Sequence, residues 1–120
     1  MGDMKITKRL LLYIEENLEQ ELTLEKIARE FNYSKFYLAR TFKEDMECTL
    51  YRYIRKRRLD EAARKLVETE KPIVEIAYEA GYDSQQAFTQ AFHNEYLYAP
   101  QEYRRIGKVG VQYELSALCG

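Results

Sequence analysis

Gln85, Gln86, Thr89, Gln90 and His93 fall within GYDSQQAFTQAF and the residue that follows it. At about 100° per residue they share one side of a helix. A carboxamide carries a donor and an acceptor together, so it bonds in pairs to a flat edge with the complementary pair. The major-groove edge of adenine is such an edge, and guanine offers a matching one to arginine. Buried amides would be costly without partners, and a merely solvated face more commonly carries Lys and Glu. A second arc of the same spacing holds Lys35, Phe36, Ala39, Arg40 and Lys43. It offers charge for phosphates, a guanidinium for guanine, and a ring and a methyl for the thymine methyl group. Other chemistry finds little footing. His93 is the only histidine and has no partner at metal spacing, so it reads as a surface residue. No nucleophile with its base, glycine-rich phosphate loop or metal cluster is recognisable. An enzyme, a cofactor and a metal are therefore not expected.

The elements that must hold these arcs recur. LEKIAREFNY at 24–33 lies over IVEIAYEAGY at 73–82, sharing Ile27/Ile76, Ala28/Ala77, Glu30/Glu79 and Tyr33/Tyr82. After a one-residue insertion, SKFYLARTF at 34–42 lies over SQQAFTQAF at 84–92, and TLYRYIR at 49–55 over APQEYRR at 99–105. Three blocks in the same order point to one structural unit present twice. Each unit predicts helix, tight turn, helix, which is a helix-turn-helix. Thr23 is placed to cap a helix running to about Phe31, with Leu24, Ile27, Ala28 and Phe31 inward. Asn32 and Gly81 stand at the same place in the two turns and tolerate a left-handed backbone. Ser34 and Ser84 then cap the second helices. Leu38, Phe42 and Met46 form the inner stripe of the first of these helices; Phe88, Ala91, Phe92 and Tyr96 form that of the second. Tyr33 and Tyr82 are expected to pack beside the turns, and packing against the neighbouring turn is an alternative for Phe36.

Between the units, Leu50 to Thr69 has helical periodicity through Tyr53, Ile54, Leu59, Ala62, Ala63 and Leu66, stopped by Lys71 and Pro72. Twenty helical residues span about 30 Å, compatible with placing two reading helices about one DNA turn, 34 Å, apart. Upstream, Ile6, Leu10, Tyr13, Ile14 and Leu18 predict a further packing helix, and a short final helix is expected from Pro100 through Tyr103 to Arg105. The fold class is thus all-α, with about seven helices. The divisions expected are 1–49 for the first helix-turn-helix subdomain, 50–69 for the connecting helix, 70–105 for the second subdomain and 106–120 for a tail. In that tail Val109, Val111, Tyr113 and Leu115 alternate as in a strand. It is read as a cap, a disordered end or the start of a truncated effector-binding domain.

The 120 residues, with 32% charged, two Pro and five Gly, favour helices over a sandwich or a disordered chain. The net charge of −1 argues against a generic polyanion binder, but the charge is unevenly distributed. Residues 34–65 hold ten Lys/Arg against five Asp/Glu, with RKRR at 55–58 the densest cluster; residues 66–103 hold one Lys against seven acids. No apolar run approaches the roughly 20 residues of a membrane span. No leader precedes a cleavage site, and Cys48 and Cys119 are far apart in sequence and lack metal-site spacing, which suits inert thiols in a reducing compartment. A cytoplasmic location without membrane contact is expected.

IAREFNYSKFYLARTFK, YIRKRRLDEAARKL and PIVEIAYEAGYDSQQAFTQAFHNEYLYAPQEYR resemble the DNA-binding domain of the AraC/XylS transcription regulators, in its MarA/SoxS/Rob-like branch. The resemblance covers roughly residues 6–105. It implies two helix-turn-helix units joined by a long helix, and a sequence-specific activator of transcription that enters two adjacent major grooves of double-stranded DNA. Position by position, it implies base reading by Phe36, Ala39 and Arg40 in the first unit and by Gln85, Gln86 and Gln90 in the second. It implies phosphate contacts by Lys35, Arg52, Arg55, Thr89 and Gln101. Family members often have Trp at the position of Phe36 and Gln at that of Ala39, and some have Arg at that of Gln90. Fewer or different bases should therefore be read here. RNA polymerase is the protein partner the resemblance implies, and a small-molecule effector would act through an absent C-terminal domain. The alternative function is a helical protein-interaction adaptor or anti-activator that keeps the fold without specific DNA binding, supported by the acidic second half and a pI near 5.9.

Overall fold

The computed structural model describes residues 2–119, with side chains through residue 109. The described residues form seven α-helices and no strand: α1 (Met4–Glu16), α2 (Leu24–Phe31), α3 (Lys35–Met46), α4 (Leu50–Glu68), α5 (Ile73–Glu79), α6 (Gln85–Tyr96) and α7 (Pro100–Cys119). They divide into two compact units between Arg57 and Arg58, so α4 supplies residues to both.

In the first unit, Ile6, Leu10 and Ile14 of α1 meet Ile27 and Phe31 of α2, Leu38 and Phe42 of α3, and Leu50 and Ile54 of α4. Each set follows the i, i+3/i+4 spacing that gathers side chains on one helical face. Helix starts are capped as the sequence predicts. Thr23 Oγ1 accepts from the Lys26 N–H at 3.1 Å; Ser34 Oγ accepts from Phe36 and Tyr37 at 3.1 and 3.2 Å. Such caps are each worth about 1 kcal/mol. Leu18 lies beyond the end of α1 yet still packs on the core.

The second unit repeats the plan around Leu59, Ala63 and Leu66 of α4, Ile76 and Ala77 of α5, and Phe88 and Phe92 of α6. Phe92 stacks on Tyr96 at 4.7 Å and meets Tyr103 of α7 edge-on at 5.3 Å. The Tyr96 hydroxyl donates to Asp60 Oδ1. Burial, and then this carboxylate, push the phenol far above its ordinary pKa, so it stays a donor. The Thr69 hydroxyl donates to the Lys65 carbonyl at 2.6 Å, and α4 ends at Glu68, before Lys71 and Pro72.

The two turns close alike. Asn32 (φ 60°) and Gly81 (φ 90°) are left-handed, and the next N–H bonds back to the helix: Tyr33 to the Ala28 carbonyl at 3.2 Å, Tyr82 to that of Ala77 at 3.1 Å. This six-to-one bond after a left-handed residue is the Schellman closure. All four partners are shared positions of the internal repeat.

The strand expected around Val109, Val111, Tyr113 and Leu115 is not formed: α7 continues past Arg105 to Cys119. Ile106, Val109 and Tyr113 also satisfy helical spacing, so alternation over a short run does not distinguish the two structures. A lone strand leaves its backbone groups unpaired, whereas a helix bonds its own.

Candidate nucleic-acid interface

In the first unit the Ser34 cap starts α3 so that Lys35 and Phe36 occupy its exposed first turn, with Arg40 exposed one turn on and Ala39 half-buried between. Phe36 is 77% exposed, which rules out packing against the neighbouring turn. An exposed ring among Lys35, Arg40 and Lys43 is available to an outside apolar group. The Lys35 ammonium lies 5.5 Å from the Phe36 ring centre and 3.4 Å from Glu25 Oε1. A backbone hydrogen bond, and then Lys35, hold the Glu25 carboxyl below its ordinary pKa. This exposed pair can open to pass Lys35 to a phosphate. Arg40 lies 5.9 Å from the centre of the Tyr37 ring and makes no ion pair among the described residues.

α4 begins beside this arc in sequence. Thr49 Oγ1 accepts from the Arg52 N–H at 3.1 Å; the first N–H groups of any helix lack intrahelical partners, which favours an anion at such an end. Arg52 and Arg55 are exposed, one turn apart, and without an ion pair among the described residues. The RKRR cluster does not act as one surface. Arg57 bonds bidentately to Glu15, at 2.5 and 3.0 Å. Arg58 is half-buried beside Gly81, and burial lowers its pKa from the ordinary arginine value.

In the second unit Ser84 Oγ accepts from the Ala87 N–H at 3.1 Å. The cap sets Gln85 and Gln86 in the exposed first turn of α6, followed by half-buried Thr89 and exposed Gln90 and His93. The amides of Gln85 and Gln86 make no hydrogen bond to the protein among the described residues. Gln90 Nε2 donates weakly to Asn94 Oδ1 at 3.4 Å. Gln101 is exposed in the first turn of α7, next to Pro100, which occupies the first helical position where no N–H is needed.

The expected residues thus gather into one exposed arc on each second helix, plus the starts of α4 and α7 in their own units. Tyr37 was missed: its ring lies 5.4 Å from that of Tyr33 and 5.9 Å from the Arg40 guanidinium carbon. Thr49 was also missed, although a hydroxyl residue just before a periodic run is a cap signal. Arg104 was missed for want of any local signal; it donates to the carbonyls of Leu66 at 2.8 Å and Lys71 at 2.6 Å, closing the C-terminal end of α4.

Paired exposed arcs of this composition suit the reading of nucleic-acid edges, and similarity to known proteins agrees. A family profile described as a helix-turn-helix domain matches residues 27–106. The regulatory protein SoxS of Escherichia coli (strain K12) is 41% identical over 104 residues, covering 87% of this chain and 97% of that protein. The multiple antibiotic resistance protein MarA of the same strain is 41% identical over 101 residues, covering 84% and 80%. Among solved structures, a transcriptional regulator with an AraC-type DNA-binding domain from Chromobacterium violaceum has a TM-score of 0.81 at 27% identity, covering 87% of this chain and 93% of that one. The chain belongs to the AraC-type helix-turn-helix family of DNA-binding transcription regulators.

Proposed function

We propose that the protein activates transcription in the cytoplasm by entering two adjacent major grooves of one duplex, α3 in one and α6 in the other. Arg40 reads guanine, with Phe36 and Ala39 making apolar contact to thymine methyls. Gln85, Gln86 and Gln90 read adenine edges. Lys35, Arg52, Arg55, Thr89 and Gln101, with the N-termini of α4 and α7, hold phosphates and set the register. RNA polymerase is the protein partner in this proposal, and no chemical step is assigned to the chain.

The observation that carries the proposal is the pair of exposed side-chain sets at repeat-equivalent positions: cationic and apolar on α3, amide on α6. Selection from a randomised duplex library tests it, repeated with Arg40→Ala and with Gln85→Ala/Gln86→Ala. The expected result is two motifs about one helical turn apart, with each variant relaxing one of them. Weak, steeply salt-dependent binding without sequence enrichment would favour the protein-interaction adaptor, whose support is the acidic second half.

A further inference from the structure

α3 meets α1 along a polar edge. Tyr37, Thr41 and Asp45 recur every fourth residue and so share one face of α3. The Asp3 N–H donates to Thr41 Oγ1 at 2.5 Å, and Thr7 Oγ1 donates to Asp45 Oδ2 at 2.6 Å. The Tyr37 hydroxyl reaches Asp3 Oδ2 at 3.4 Å, a long contact. Thr7 and Thr41 are both buried. Burial, and then the Asp3 carboxylate, raise the Tyr37 phenol above its ordinary pKa, so it remains protonated and able to donate. Apolar packing alone tolerates small rotations of a helix, whereas directional bonds between buried groups select one arrangement. The ring of Tyr37 is held from a second side by Tyr33, nearly parallel at 22°. The Arg40 guanidinium lies over this same ring. An exposed arginine loses considerable rotamer freedom when it binds, so a surface that already confines it reduces that loss.

We propose that Tyr37 is a positioning residue for base recognition: held by Asp3 and Tyr33, its ring directs the Arg40 guanidinium toward the base it reads. The inference rests on the assignment of Arg40 as a base reader. An exposed cation–ring contact of about 0.5–1 kcal/mol corresponds to a two- to fivefold effect.

The test measures affinity for a selected duplex and for the same duplex changed at the base pair whose preference Arg40 supplies. Wild type, Arg40→Ala, Tyr37→Leu, Tyr37→Phe and the Arg40→Ala/Tyr37→Leu double variant are compared, each with its thermal melt. Arg40→Ala should abolish discrimination at that pair. Tyr37→Leu should lower discrimination about two- to fivefold, and Tyr37→Phe, which keeps the ring, should restore most of it. In the Arg40→Ala background Tyr37→Leu should cost nothing more at that pair. Tyr33→Leu, at an exposed position, should give a smaller loss of the same kind and keeps the test in force where Tyr37→Leu does not fold. Unchanged discrimination in Arg40→Ala would overturn the base-reading assignment and this inference with it. Lost discrimination in Arg40→Ala, with Tyr37→Leu and Tyr33→Leu weakening all duplexes equally or changing nothing, would overturn the positioning role alone.

Discussion

At the scale of the residue, repetition of a type in the sequence does not mean repetition of a task. Glu30 and Glu79 are matched positions, but Glu30 is exposed, while Glu79 bonds to buried Lys65 at 2.8 Å and to Lys71 at 2.7 Å. The hydrogen bond from Lys65, and then that from Lys71, hold the Glu79 carboxyl below its ordinary pKa. A carboxyl with a depressed folded-state pKa contributes stability that is fully present above its unfolded value, 4.5, and is lost as pH falls through the folded value. Glu79→Gln should therefore cost about 1–2 kcal/mol at pH 7 and progressively less below about pH 4.5. Urea midpoints of both proteins across pH 3–7 check this; a difference independent of pH would count against the ion pair. Phe36, Arg40 and the glutamines were legible because an exposed face of unusual composition declares itself in a helical wheel. Tyr37, Arg57, Lys65 and Arg104 were not, since their partners Asp3, Glu15, Glu79 and Leu66 lie 14 to 42 residues away.

At the scale of the element, the turns and caps carry the definition of each unit. Gly81 has φ 90°, where any side chain is strained, and a Cβ there would sit 3.2 Å from Arg58 Nη1. Gly81→Ala should destabilise the second unit by about 1–2 kcal/mol. The matching Asn32→Gly should change stability by only a few tenths, because asparagine already tolerates the left-handed state at φ 60°. Thermal or urea unfolding of the two variants distinguishes them, and equal losses would contradict the account. The ends of α3 and α6 also carry a left-handed residue without glycine, at Glu47 (φ 60°) and Leu97 (φ 68°). Those ends were not legible, because neither residue type announces a left-handed backbone. The turns before α3 and α6 were, because Asn, Gly and the serine caps stand in register across the repeat. The extension of α7 escaped a short periodicity count, in which a helix and a strand fit the same apolar residues.

At the scale of the molecule, the internal repeat made both units readable from one sequence, while a net charge of −1 concealed their difference. Arg40, Arg52 and Arg55 of the first unit are exposed and make no ion pair among the described residues, whereas the exposed arc of α6 carries no Lys or Arg. Affinity from the first unit should therefore be mainly electrostatic and salt-sensitive, and that from the second should depend more on its amides. The central claim is that both units read DNA. Its most direct test is the affinity, at one fixed salt concentration, for a duplex bearing both selected motifs and for the same duplex with the α6 motif scrambled. Loss of even one bidentate amide contact predicts binding weaker by about fivefold or more. Equal affinity for the two duplexes would contradict the claim and leave the second unit to a protein partner.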